Sequence, residues 1–368
     1  MKPERTPFAP RQRGISLIEL MVGVVIGLIA VLVIYQTFAV AEGVKRQTIS
    51  AGDAQKTGMI ATYLLGAELS SAGSGIMLNQ DDLATCIDDT ATYPDPNVRV
   101  ARTMRPFSVM ITPGADDATP DTIVVNYSTA RSVVTPSIFM AKTDANGTQL
   151  TVQSPTGFKA GDMVASISGS GDCERYLVKK VTGPDANGNV VLDLDDTVAA
   201  PIAKAPSFDI LPSMRLINLG PGASTQRVRY DVSAGVLRST DLVTAGAVAQ
   251  PIASSIMNFK VLYGVDNDGN GTVDEWAPAS DAKYTPAKIL AASGTELRRI
   301  KAVRLGIVVR SDEYDRDAPV YNWTLFECTT QEAKDYTCPA KITGTLGANY
   351  RYRVYETVIP LRNPMWNR

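Results

Sequence analysis

The chain has 368 residues, 45% of them hydrophobic and 20% charged, with a formal net charge of −2. This is a globular balance with room for a core, and the lack of a basic field excludes nucleic-acid binding as the main task. There is no histidine, which removes Ser-His-Asp and Cys-His catalysis, HExxH zinc sites and imidazole acid–base schemes. No nucleophile–base pair can be drawn, and the chain reads as a non-enzyme.

Residues 1–14 are polar and basic, with Lys2, Arg5, Arg11 and Arg13 against Glu4. Residues 15–40 follow as an almost wholly apolar run, free of charge from 20 to 35. As helix at ~1.5 Å per residue this run spans a ~30 Å hydrocarbon core. The basic flank is expected to stay cytoplasmic, which puts a periplasmic head behind a single inner-membrane pass. Two features depart from an ordinary secretory signal. Gly14 stands before the apolar run, where leader meets helix, and no small-x-small site follows the run. Glu19 lies inside the apolar region, where an ionised carboxylate costs at least ~2.5 kcal/mol and calls for a partner.

The stretch Arg13-Gly14-Ile15-Ser16-Leu17-Ile18-Glu19-Leu20 resembles the class III signal of type IV prepilins and pseudopilins. The resemblance implies cleavage after Gly14 by a prepilin peptidase and methylation of the new N-terminus at Ile15. The family prefers Phe at that position. It also implies that Glu19 is the assembly glutamate, placed to neutralise the free amino group of a neighbouring subunit. A buried pair of that kind favours one register, because slippage strands a charge. Major pilins usually carry a helix-bending proline in this segment; residues 15–70 contain none, which points to a minor pilin.

Residues 41–72 continue as an amphipathic helix, with Val44, Ile49, Met59, Ile60, Leu64, Leu65 and Leu69 among polar residues. The run stops at Ser70-Ser71-Ala72-Gly73-Ser74-Gly75. Gly43, Gly52, Gly58 and Gly66 make this half weak alone, so packing on the head must hold it. From 73 to 368 strand signals dominate: runs at 121–127, 175–181, 189–194, 226–231, 235–238 and 258–263, with turn residues between them. Residues 140–200 read as a small inserted β subdomain. The expected fold is α+β and pilin-like, a long N-terminal helix packed on a mainly antiparallel sheet.

The four cysteines are Cys86, Cys173, Cys328 and Cys338, an even number with no CxxC pair. They suit two disulfides in an oxidising compartment better than a metal or redox site. Three connectivities are open; the simplest closes 329–337 by joining Cys328 to Cys338 and leaves Cys86 with Cys173. The shorter loop would contribute roughly 2–3 kcal/mol.

The stretch Asp266-Asn267-Asp268-Gly269-Asn270-Gly271-Thr272-Val273-Asp274-Glu275-Trp276 resembles a calcium loop, with oxygen side chains at alternate positions and glycine at position six. Asp266, Asp268, Asn270 and Asp274 would supply side-chain oxygens and Thr272 a carbonyl. An EF-hand needs Glu at position twelve, where Ala277 stands, and two flanking helices, which are missing. The alternatives are a calcium-bound hairpin turn, completed by Glu275 or a remote carboxylate, and an unliganded Asx-Gly turn. The charged run 312–317 reads as a solvated loop, and Trp276, Trp323 and Trp366 as packing residues.

Two C-terminal runs alternate as strands of an antiparallel sheet, 300–310 with Val303, Leu305, Ile307 and Val309 on one face, and 350–363. Lys301-Ala302-Val303-Arg304, Tyr263-Gly264-Val265-Asp266 and the ending Leu361-Arg362-Asn363 are similar to PilW-type minor pilins. That resemblance implies a subunit of type IV pilus assembly and priming, at or near the fibre tip, supporting motility, adhesion or DNA uptake. Its implied partners are other minor pilins, the major pilin, a tip adhesin, the prepilin peptidase and the inner-membrane assembly platform. The alternatives are a minor pseudopilin of a type II secretion system, or a calcium-dependent adhesin module tethered by the helix.

Overall fold

The structure is a computed structural model and describes residues 16–74, 107–128, 137–142, 144–153, 157–167, 173–198, 214–221, 225–242, 247–330 and 332–361. Helix α1 (Leu17–Ser70) is one 54-residue element, about 80 Å long at the standard rise. Its second half presents Ala54, Gly58, Ala61, Leu65 and Leu69 as a buried stripe at spacings of three and four. Small residues enter this stripe first and leucines last, and at Gly58 the ring of Tyr355 lies directly against the helix.

Strands β1 (Val109–Thr112) and β2 (Thr122–Ser128) form an antiparallel pair. The chain then enters a closed barrel of β3 (Ser137–Lys142), β4 (Gln149–Val152), β5 (Asp162–Ile167), β6 (Cys173–Thr182), β7 (Val190–Leu194) and β8 (Arg215–Pro221). The barrel has its own core, including Leu150, Val164, Tyr176, Val178, Leu192 and Leu216. Closure leaves it no free edge. Its β6–β7 hairpin turns on Asp185, whose carboxylate accepts the amides of Asn187 and Asn189 at 2.8 Å each, the Asx chemistry that tight turns use. The chain returns in β9 (Thr225–Ser233), which pairs with β2 so that Thr225 faces Ser128. Strands β10 (Val236–Asp241) and β11 (Gln250–Ala253) complete a five-stranded sheet, order β1-β2-β9-β10-β11.

A second sheet, order β13-β12-β14-β17, is built from β12 (Ile256–Val265), β13 (Glu275–Pro278), β14 (Ile300–Arg310) and the closing β17 (Tyr352–Pro360). Between β13 and β14 lie two short helices, α2 (Pro286–Ala291) and α3 (Gly294–Arg298). Proline opens α2 and a Ser293–Glu296 capping box opens α3. After β14 come β15 (Tyr321–Leu325), the four-residue α4 (Glu332–Asp335) and β16 (Ile342–Leu346), with β15 and β16 paired as a separate ribbon.

One core joins α1 to both sheets: Leu65 and Leu69 belong to a cluster with Phe107, Ile111, Ile123, Phe259, Val261, Val303, Leu305 and Ile359. Two buried polar links fix the sheets to each other. Tyr263 Oη accepts the amide of Ile111 at 2.6 Å. Lys260 Nζ lies 3.0 Å from Asp121 Oδ1, and Asp121 Oδ2 accepts the amide of Val261 at 3.0 Å. Removing one partner of such a buried pair typically costs ~3–5 kcal/mol.

The far side of the second sheet is also covered. Trp276, Trp323, Leu325 and Phe326 pack there against Leu262, Ala302 and Val308. Strand β14 is therefore buried on both faces, and Arg304, which alternation sets opposite Val303, Leu305, Ile307 and Val309, is itself buried. The run 312–317 keeps Asp312 and Glu313 exposed but turns Asp315 inward onto Arg351 at 2.7 Å. Trp276 and Trp323 are core residues; Trp366 lies outside the described residues.

Candidate functional site

The largest chemically unusual surface is the first half of α1. Every large apolar side chain in residues 17–40 is more than half exposed. The segment Leu17–Lys45 is long and apolar enough to cross a membrane, and its most apolar window is not buried at all within the chain. Burying one such side chain is worth about 1.5–3 kcal/mol, so this surface requires a bilayer or other helices as its environment. Glu19 sits in the first turn of the helix, where a negative charge opposes the positive end of the dipole. Gly14 and Ile15 lie outside the described residues.

The helix surface does not turn polar where it meets the head. Met59, Ile60, Tyr63 and Leu64 face away from the core and are exposed. A groove of about 730 Å³ runs between Thr48, Gly52 and Gln55 of α1 and Tyr321, Tyr350 and Arg353 of the head. Tyr355 Oη donates to the carbonyl of Gln55 at 3.3 Å, and Tyr127 Oη donates to Glu68 Oε2 at 2.7 Å. These contacts set the direction of the head. Strand β17 starts beside the lower part of the docked helix and ends at Pro360, paired with Ala302. Val265 pairs with Ile300 at that same end. At ~3.3 Å per residue the turn after Val265 stands about 23 Å beyond Tyr355, away from the exposed apolar half of α1.

That turn is the acidic stretch. Asp266 is buried, and its carboxylate accepts the amides of Gly269 at 2.6 Å, Asn270 at 3.1 Å and Gly271 at 2.8 Å. Gly269 and Gly271 have φ of 80° and 94°, values that side chains resist and glycine adopts freely. Asp274 Oδ2 accepts the amide of Asn267 at 2.7 Å, and Asp268 Oδ1 accepts that of Asn270 at 3.0 Å. Thr272 donates its amide to Asn270 Oδ1 at 2.7 Å. One carboxylate oxygen each from Asp266, Asp268 and Asp274 lies within 4.8 Å of the others. Lys301 Nζ stands 3.9 Å from Asp266 Oδ2, and Glu275 Oε2 accepts Asn267 Nδ2 at 3.1 Å. Ala277 is buried in β13.

Cys328 and Cys338 are joined by a disulfide with Cα atoms 6.0 Å apart. Cys173 opens β6; Cys86 lies outside the described residues, and so does its pairing. The described residues inside the disulfide, 329–330 and 332–337, are tied by side-chain hydrogen bonds. Thr329 Oγ1 caps α4 by accepting the Glu332 amide at 3.2 Å, and the Glu332 carboxylate accepts the amide of Thr329 at 2.8 Å and Tyr336 Oη at 2.6 Å. The Tyr336 hydrogen bond first, and Thr329 second, hold the Glu332 carboxyl down at about 2. Burial first, then that same bond, pushes the Tyr336 hydroxyl up to about 12. Arg304 stands behind this unit, 3.0 Å from Glu356 and 3.9 Å from Glu332, with its guanidinium over the Phe326 ring.

Residues 9–35 match the prokaryotic N-terminal methylation motif, and residues 228–363 match the family described as Type IV Pilus-assembly protein W. The chain therefore carries a type IV prepilin-like N-terminus and a PilW-type C-terminal region. The PilW-type match begins inside β9 and takes in the second sheet, the acidic turn and the disulfide loop, whereas the barrel lies outside it. Among solved structures the chain is similar to the type IV-like pilin TTHA1219 from Thermus thermophilus, at 10% identity over 56% of this chain and 86% of that one. The TM-score is 0.23, too low to bear on the fold. Among curated proteins none matches significantly.

The prepilin signal and the C-terminal strands were legible in the sequence. The clamp around Arg304 was not, because its partners Phe326, Glu332, Tyr336 and Glu356 are spread over the last third of the chain. The buried Asp121–Lys260 pair was equally hidden, for its members are 139 positions apart.

Proposed function

We propose that this chain is a minor pilin that takes part in assembly and priming of a type IV pilus and occupies a place at or near the fibre tip. The observation that carries this reading is the bare apolar half of α1 beneath a head that grips only the other half. Such a subunit is stable in the bilayer before assembly and in a helix bundle after it. Cleavage between Gly14 and Ile15 would free an amino group, methylated in the mature chain, for Glu19 of a neighbour to neutralise. Other minor pilins, the major pilin and a tip adhesin would pack on α1 and the head. The prepilin peptidase and the inner-membrane platform would process and extract the chain, with the head periplasmic until export. Motility, adhesion or DNA uptake would follow from the fibre rather than from a reaction on this chain. A minor pseudopilin role in type II secretion uses the same helix physics.

The test is intact mass and N-terminal sequencing of chain recovered from sheared surface fibres, beside a peptidase-deficient strain. The expected result is a chain beginning at Ile15 in fibres and at Met1 without the peptidase. Residues 1–14 retained in wild-type cells would overturn the reading. A mature chain confined to the membrane would favour secretion or priming without incorporation.

A second reading concerns the acidic turn, as a calcium-stiffened hairpin or a calcium-dependent adhesin surface. It is supported by the convergence of Asp266, Asp268 and Asp274. These three carboxylates, with Asn270 and the Thr272 carbonyl, are hard oxygen donors suited to calcium. The bidentate glutamate of an EF-hand has no counterpart, and Lys301 already offsets part of the charge. Weak binding is therefore expected, in the ~10⁻⁴–10⁻³ M range of extracellular modules. Calorimetric titration of the oxidised chain with calcium checks it. Heat that disappears in Asp268→Asn supports the site, and a flat titration leaves an Asx-Gly turn.

A further inference from the structure

Strand β13 is the outer strand of the second sheet, and its free edge is covered by the disulfide-closed segment. The cover is made by main-chain bonds. Thr337 donates its amide to the carbonyl of Asp274 at 2.7 Å and accepts the amide of Trp276 at 3.3 Å, which makes Glu275 and Thr337 a parallel bridge. Next to it the ring of Tyr336 meets that of Trp276 edge-on, with centroids 6.1 Å apart. Thr337 immediately precedes Cys338, so the disulfide anchors the chain one residue from both hydrogen bonds. On the other side of β13, Asp274 closes the acidic turn through its own amide to Val265 and its carboxylate to Asn267. The turn, the edge strand and the disulfide-closed segment are therefore connected end to end by short main-chain links.

Two main-chain hydrogen bonds, one aromatic contact and the approach of Arg304 to Glu332 and Tyr336 give a short segment only modest stability on their own, because each such bond replaces one made with water. Closing the loop by a covalent bond contributes more, because it removes the conformational freedom the segment would otherwise regain. We infer that the Cys328–Cys338 bond is a redox latch: oxidised, it holds residues 332–337 on the edge of β13; reduced, it lets that cover lift and loosens the acidic turn with it. In the reducing step a dithiol transfers two electrons and two protons. The S–S bond is cleaved to two cysteine thiols, and the dithiol closes into its own cyclic disulfide. The central strands do not depend on the latch, for β12 and β14 are held by each other and by the core on both faces.

Amide hydrogen exchange is followed on the full chain in detergent, folded and oxidised, and again after mild treatment with dithiothreitol. Protection at the amides of Trp276 and Thr337 is expected to fall roughly 10-fold or more on reduction, followed by those of the turn at Gly269 and Gly271. The amides of Val261 and Leu305 are expected to stay unchanged. Equal protection at Trp276 and Thr337 in both states overturns the latch. Loss of protection at Val261 and Leu305 overturns it as well, because the bond would then support the whole head rather than its edge. The variant Thr337→Pro keeps the disulfide but removes the amide that reaches Asp274. It is expected to loosen the turn in the oxidised chain; a turn as protected as in the parent sinks the proposed connection.

Discussion

Gly58 lies in the buried stripe of α1 under the ring of Tyr355. A β-carbon there would stand 2.0 Å from Cε2 and 2.4 Å from Cδ2 of that ring. Two effects oppose each other on changing it to alanine. The helix gains about 1 kcal/mol of propensity, while forcing a packed ring aside costs about 1–3 kcal/mol. The steric effect is expected to win, so Gly58→Ala destabilises the docked helix by about 1 kcal/mol. In a Tyr355→Ala background the same change is expected to stabilise, because only the propensity remains. A double-mutant cycle on thermal unfolding of the detergent-solubilised chain checks this; a stabilising Gly58→Ala in the parent would refute the close approach. Arg304 makes the complementary point. By alternation it belongs on a polar face, but the ribbon β15–β16 and the disulfide segment cover that face. The charge is kept there by Glu356, Glu332 and the Phe326 ring.

At the scale of elements, the barrel is the addition that distinguishes this head from a helix packed on two sheets. Its strands occupy the connection between β2 and β9, whose paired ends are Ser128 and Thr225. A described contact across the junction is Ser128 Oγ donating to the carbonyl of Leu219 at 3.1 Å. The barrel core shares no residue with the core beneath α1. Ser128 and Thr225 are placed as the ends of a hairpin, which two residues of Asn-Gly type can close. Replacing 129–224 by Asn-Gly is therefore expected to leave the main thermal transition of the head within a few degrees and to remove a separate barrel transition. Circular dichroism melting of the two chains decides it. A shortened chain that no longer folds would make the barrel part of the core.

At the scale of the whole molecule, one chain combines two solvents. The lower half of α1 is apolar on all sides and suits a bilayer or a bundle, whereas the upper half is apolar on the head side and partly so outside, through Met59, Ile60, Tyr63 and Leu64. The contacts of Tyr355 and Tyr127 with Gln55 and Glu68 orient the head along the helix. The acidic turn and its disulfide-held neighbour stand at the far end from the membrane-crossing half. If the chain lies at a fibre tip, that end is the one turned outward. The comparison of fibre and membrane pools is the measurement for this scale, because only incorporation distinguishes a tip subunit from an anchored one.

The sequence by itself determined the features that depend on neighbours along the chain. The charge-free run with Gly14 before it and Glu19 inside it, the glycine-closed turn at 266–274 and the alternation in 300–310 are all local patterns, set by the 3.6 and 2.0 periodicities and by turn chemistry. The Cys328–Cys338 loop was legible for the same reason, its ends being ten positions apart. Only the tertiary structure decided which polar residues are buried and with whom. Asp121 and Lys260, Tyr263 and the Ile111 amide, and Arg304 and its four neighbours meet because two sheets and a ribbon close over them, and no periodicity records a partner tens of positions or more away. Closure of the barrel was decided there too, since a strand's pattern gives its buried face but not whether the last strand returns to the first.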